Sequence, residues 1–130
     1  MLKNRVLAGL IAGAGLAFMA ATPLQAMDIA KVKAKDTPEV GSLQSVQVCA
    51  ASFTASAYLA TKGSEDADLY LKLAKAWGQV AAQMTGISYS DYIDKNLTPD
   101  MQALYDAGDD VVNFYHIYCL KATQDMLNKK

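Results

Sequence analysis

In 130 residues the chain has one arginine, one histidine, two glutamates, two cysteines and three prolines. Each shortage removes a class of function. Arginine supplies the bidentate contacts that read phosphates and base edges. The only one here is Arg5, so nucleic acid is not an expected partner. A structural zinc site needs four ligands, mostly Cys and His, and the chain offers only His116, Cys49 and Cys119. His116 and Cys119 have the i, i+3 spacing of a ligand pair, but nothing completes the set. No metal or cofactor is expected, and His116 reads as a residue at the edge of the core. Cys-x-x-Cys and the haem-attachment motif Cys-x-x-Cys-His are absent. Glu39 and Glu65 lie outside any apolar pattern, which leaves a paired-carboxylate glycosidase without support. Asp106, Asp109 and Asp110 lack the alternating ligands and terminal Glu of a calcium loop, and read as a solvated acidic face. No Gly-x-Ser-x-Gly, His-Glu-x-x-His or phosphate-loop motif occurs. The expectation is a protein that is not an enzyme.

Charge is missing where it matters most. Ser42 to Thr61 (SLQSVQVCAASFTASAYLAT) contains no charge, no Gly and no Pro. Ser42 is a suitable N-cap and Gly63 a suitable residue just past the C-terminus, so the stretch predicts one helix. Leu43, Val46, Cys49, Ala50, Phe53, Ala57 and Ala60 share a face, and Val48, Ala51, Ala55 and Leu59 form a second apolar strip. A helix uncharged all round is buried among other elements or lies in a membrane. Its seven Ser, Thr and Gln residues between Ser42 and Ser56 are too many for a bilayer span. Burial is the expectation.

Residues 1–26 have the layout of a secretory signal peptide. Lys3 and Arg5 precede an uncharged run, Val6 to Ala21, and Pro23 and Ala26 mark a break and a small residue at the cleavage point. The expected location is periplasmic or secreted, with no transmembrane span in the mature chain. Residues 27–41 (ending in Thr37-Pro38-Glu39-Val40-Gly41) read as a flexible arm, in which Lys31, Lys33 and Lys35 alternate with Val32 and Ala34. It is either a solvated segment or a basic contact for an acidic partner.

Residues 42–130 predict an all-α domain, a small four-helix bundle with a short third helix. Ser64 caps a second helix, with Leu69, Tyr70, Leu73, Ala76, Trp77, Val80 and Met84 on one face and Ala67, Ala74, Gly78, Ala81 and Ala82 opposite; Gly86 ends it. Ser88-Tyr89-Ser90-Asp91 has capping-box spacing. Thr98-Pro99-Asp100 reads as the start of a last helix reaching about Leu127, continuous or gently bent at Gly108. Met101, Leu104, Gly108, Val111, Val112, Tyr115, Tyr118, Cys119, Ala122 and Met126 lie along one stripe of it. Cys49 and Cys119 fall on the apolar faces of the first and last main helices, so in an oxidising compartment they are expected to form a disulfide that staples the bundle.

The chain is rich in tyrosine for its size. Core packing accounts for Tyr70, Trp77, Tyr115 and Tyr118, and less readily for Tyr89 and Tyr92 in the short helix. Ile117, Leu120 and Leu127 lie off the main stripe of the last helix, as a second buried face or an exposed patch. Tyr89, Tyr92, Ile117, Leu120 and Leu127 are therefore candidate partner contacts. Phe53, Tyr115 and Tyr118 are candidates for a pocket between the first and last helices. The leader, the two spaced cysteines, the all-α content and the run Tyr115-His-Ile-Tyr-Cys119 together resemble small periplasmic helical proteins with one disulfide, such as HdeA-type acid chaperones and Spackle-type phage lysozyme inhibitors. No functional residue is carried over from that resemblance. The expected function is non-catalytic binding of a protein partner in the periplasm, as inhibitor, immunity factor or chaperone. The alternative is a periplasmic small-ligand carrier.

Overall fold

The computed structural model describes residues 27–128. The leader expected over residues 1–26 lies outside them. The described residues are all helix and connection, with no strand. Helix α1 covers Ile29–Lys33, α2 Leu43–Leu59, α3 Glu65–Thr85 and α4 Tyr89–Tyr92. A π-helical turn, Ile93–Leu97, joins α4 to α5, Thr98–Ala107, and α6 covers Asp109–Asn128.

The uncharged helix α2 is the hub, packing against α3, α5 and α6. From Ser45 to Ala57 only Thr54 is more than marginally exposed. Two of its hydroxyls turn onto the backbone: Ser45 Oγ donates to the Ser42 carbonyl at 2.7 Å and Thr54 Oγ1 to that of Ala50 at 2.7 Å. Such local bonds let hydroxyls be buried at little cost. Ser42, Ser64 and Ser88 each cap a helix, accepting from the N–H groups of Ser45, Ala67 and Asp91. Gly86 ends α3 in the left-handed region (φ 75°). Helix α2 stops at Leu59, earlier than expected, and Gly63 sits in the following turn.

Of the two faces read for α3, the structure buries one. The side it buries is the small-residue strip, Ala67, Ala74, Gly78, Ala81 and Ala82, together with Trp77. Leu69, Val80 and Met84, on the other face, are 49%, 40% and 47% exposed. Small side chains let two helix backbones approach closely, and α2–α3 is the most extensive helix contact among the described residues. Tyr89 presses on the same surface. A Cβ at Gly78 would lie 2.9 Å from its Cε1.

Two helix boundaries also differ from expectation. Thr98 is the first residue of α5 rather than its cap, because Leu97 before it is already helical and no side chain caps the junction. The chain runs helically from Tyr89 to Ala107, and the π turn just before Pro99 accommodates a residue with no N–H and a bulky ring. The expected long last helix is divided in two, since Gly108 adopts φ 114°, which only glycine takes without strain.

The expected flexible arm is seated. Its lysines do not alternate on an extended strand; Asp28 caps the short helix α1, and Val32 is fully buried. Tyr115 Oη donates to the Asp36 carbonyl at 2.6 Å and Tyr118 Oη to that of Pro38 at 2.6 Å. Lys35 pairs with Asp110 at 2.9 Å. Cys49 and Cys119 form the expected disulfide between α2 and α6, with Cα atoms 5.4 Å apart.

Candidate functional site

Three helices meet around His116. It lies on α6 facing the C-terminal half of α2 and the first half of α3. Its Nδ1 shares a hydrogen bond of 2.7 Å with Ser56 Oγ, and its Nε2 one of 3.4 Å with Tyr70 Oη. Phe53 and Tyr70 stack with centroids 6.2 Å apart, and both meet the imidazole edge-on. Burial pushes the His116 pKa below its ordinary value, favouring the neutral ring. The cluster is one wall of a cleft of about 430 Å³, which Thr61, Ser64, Asp66 and Asn113 also line.

Above this cleft the seam between α3 and α6 is bridged by side chains. The two helix backbones approach little, while Tyr70 reaches His116 and Trp77 Nε1 donates to Thr123 Oγ1 at 3.1 Å. On α3, Leu69, Leu73, Val80 and Met84 recur at steps of four, seven and four, along the flank of Tyr70 and Trp77. On α6, Ile117, Leu120 and Leu127 fall within a sector of about 80° at 100° per residue. Ile117 is 69% exposed, Leu120 37% and Leu127 61%. Apolar stripes thus run along both sides of the seam. On the far side of Ile117 a second cleft of about 420 Å³ lies between α6 and the arm, lined by Pro38, Val40, Phe114, Ile117 and Tyr118.

The candidate residues named from sequence scatter across this arrangement. Ile117, Leu120 and Leu127 lie together on the surface of α6. Tyr92 is fully buried and Tyr89 half-buried against Gly78, so Tyr92 has no surface to offer a partner. Phe53, Tyr115 and Tyr118 do not enclose one pocket. Phe53 belongs to the His116 cluster, whereas Tyr115 and Tyr118 spend their hydroxyls on the arm. Burial pushes the Tyr115 hydroxyl up to about 12, so it stays a donor. Ser56 and Tyr70, the partners of His116, were not distinguishable in sequence, because Ser56 is 60 residues from the histidine. Among the described residues, no group of three His, Cys, Asp or Glu is placed to hold a metal, and no helix is long and apolar enough to cross a membrane.

No family model, curated protein or solved structure matches this chain.

Proposed function

We propose that the chain is a secreted or periplasmic, non-catalytic binding protein that engages a protein partner through the α3–α6 face. The observation that carries this reading is the pair of apolar stripes beside the Trp77–Thr123 bridge, with Leu69, Val80, Met84, Ile117 and Leu127 each at least 40% exposed. Contiguous exposed apolar surface on a monomer marks an interaction site far more often than scattered residues do. Paired apolar stripes on two neighbouring helices suit an amphipathic helix, whose apolar side chains at i, i+3, i+4 and i+7 would lie against them. The disulfide and the seated arm tie α6 to α2 and to the N-terminal segment, and a pre-ordered surface lowers the cost of binding. Inhibition, immunity and chaperoning all use such a surface.

The Ser56–His116 pair supports a nucleophile less well than its distance suggests. Acyl transfer needs N–H donors aimed at a developing oxyanion. Ser56 lies in the last turn of α2, where its own carbonyl accepts from Ala60 N–H and the backbone presents acceptors. The cleft itself favours the second reading, a small-ligand carrier, with His116, Tyr70 and Asp66 as polar contacts.

Affinity capture from periplasmic extract separates the two. The expected outcome is a protein retained by the wild type and lost from Ile117→Lys and Leu127→Lys variants of unchanged circular dichroism. Recovery of a stoichiometric small molecule with no protein would overturn partner binding in favour of carriage.

A further inference from the structure

We propose that Asp100 is an internal receptor for a new amino terminus: cleavage at Ala26–Met27 creates a Met27 ammonium group that pairs with the Asp100 carboxylate and locks the N-terminal segment onto α5. This rests on the secretory reading of residues 1–26 and goes beyond it. Asp100 lies in the first turn of α5 and is 5% exposed, and Met27 is 3% exposed. The Met27 N–H donates to the Asp100 carboxylate, while Oδ2 makes no hydrogen bond among the described residues. The Tyr92 hydroxyl, also buried, makes none either. Its ionisation is opposed by the Asp100 charge, which places the two groups in one environment.

A buried carboxylate with a single amide donor is costly to ionise. Burial raises the Asp100 pKa to about 7, and the Met27 N–H draws it back only in part. Cleavage changes the chemistry of that one nitrogen. Water, delivered by a signal peptidase, adds its oxygen to the Ala26 carbonyl carbon. The C–N bond breaks, Ala26 leaves as a carboxylate, and the freed Met27 amine takes up a proton to become an ammonium. One amide donor becomes three donors and a positive charge, beside a carboxylate with an unsatisfied oxygen. The nitrogen is held there independently of cleavage. Asp28 N–H donates to Gln44 Oε1 at 2.9 Å, and the Asp28 carbonyl accepts from Gln44 Nε2 at 3.2 Å.

The test compares the exported protein, expected to begin at Met27, with a chain that retains Ala26, each with Asp100 and with Asp100→Asn. With Asp100 present, retaining Ala26 is expected to lower the folding equilibrium constant about tenfold or more, the equivalent of one pKa unit. In the Asp100→Asn background the two chains are expected to have the same denaturation midpoint. The Met27 amine of the folded protein should also react with an acylating reagent at least about tenfold more slowly than in urea, as a buried paired amine does. Equal midpoints with Asp100 present, or an amine as reactive as in urea, overturn the pairing. If the Asp100→Asn variant does not fold, the two Asp100 chains still decide. A first residue other than Met27 in the exported protein overturns the cleavage position and this inference with it, leaving partner binding untouched. Met27 as first residue with no difference between chains overturns the pairing alone.

Discussion

His116 is held between two hydroxyls, and its charge is opposed by burial. A group whose folded pKa is lowered contributes stability above its unfolded pKa of about 6.5, and loses it as pH falls through the folded value. His116→Gln is therefore expected to flatten the decline in urea midpoint between about pH 7.5 and 5. A slope identical to wild type would remove His116 from the acid response. Gly78 sets two effects against each other. Alanine improves a helix interior by about 1 kcal/mol, but its Cβ would meet the Tyr89 ring at 2.9 Å, and overpacking costs about 1–3 kcal/mol. Gly78→Ala should destabilise the wild type and stabilise a Tyr89→Ala background, which a double-mutant cycle in urea will read. The cysteines were legible as a pair because both carry an apolar face and nothing else in the chain competes for them. The surroundings of Tyr92 were not legible. A tyrosine four residues into a short helix reads the same whether that helix lies on the surface or, as here, runs on through a π turn with the tyrosine in the core.

At the scale of elements, local chemistry carried most of the reading. Ser42, Ser64 and Ser88 cap where expected, and Gly86 closes α3, because a cap depends only on a few neighbouring residues. The orientation of α3 depends on what it meets. The leucine face and the small-residue strip could each pack on a neighbour, and close packing on α2 uses the alanine and glycine strip. The face left outside is the one proposed to bind. The α5–α6 junction was likewise ambiguous in sequence, since Gly108 is compatible with a bend or a break. At φ 114°, with Asp110 Oδ1 3.1 Å from the position a Cβ would take, Gly108→Ala is expected to cost about 1–3 kcal/mol. Thermal denaturation checks it, and an unchanged midpoint would mean that the junction relaxes into one continuous helix.

For the whole molecule, the disulfide links positions 70 apart, joining the hub helix to the last one. Chain-entropy arguments give a loop of that length about 4 kcal/mol, a large part of the roughly 5–15 kcal/mol typical of a domain. Cys49→Ser should lose an amount of that order in urea denaturation, and mass spectrometry of the non-reduced protein should find no free thiol. In acid, residues 27–130 keep ten lysines and gain a charged His116 while thirteen carboxylates are neutralised. Self-repulsion then loosens the compact state, with α2 and α6 still tethered. If partner binding is of the chaperone kind, the protein should suppress aggregation of a client at about pH 2–3, read by light scattering after neutralisation. Scattering equal to the control at every ratio would exclude that form of the function. The seating of the arm has a consequence for the order in which the fold can be completed. A chain emerges amino terminus first, yet the carbonyls of Asp36 and Pro38 accept from tyrosines 79 and 80 residues later. This early segment is thus among the last to be fully seated, and until the final helix has emerged these two carbonyls lack the hydroxyls that hold them.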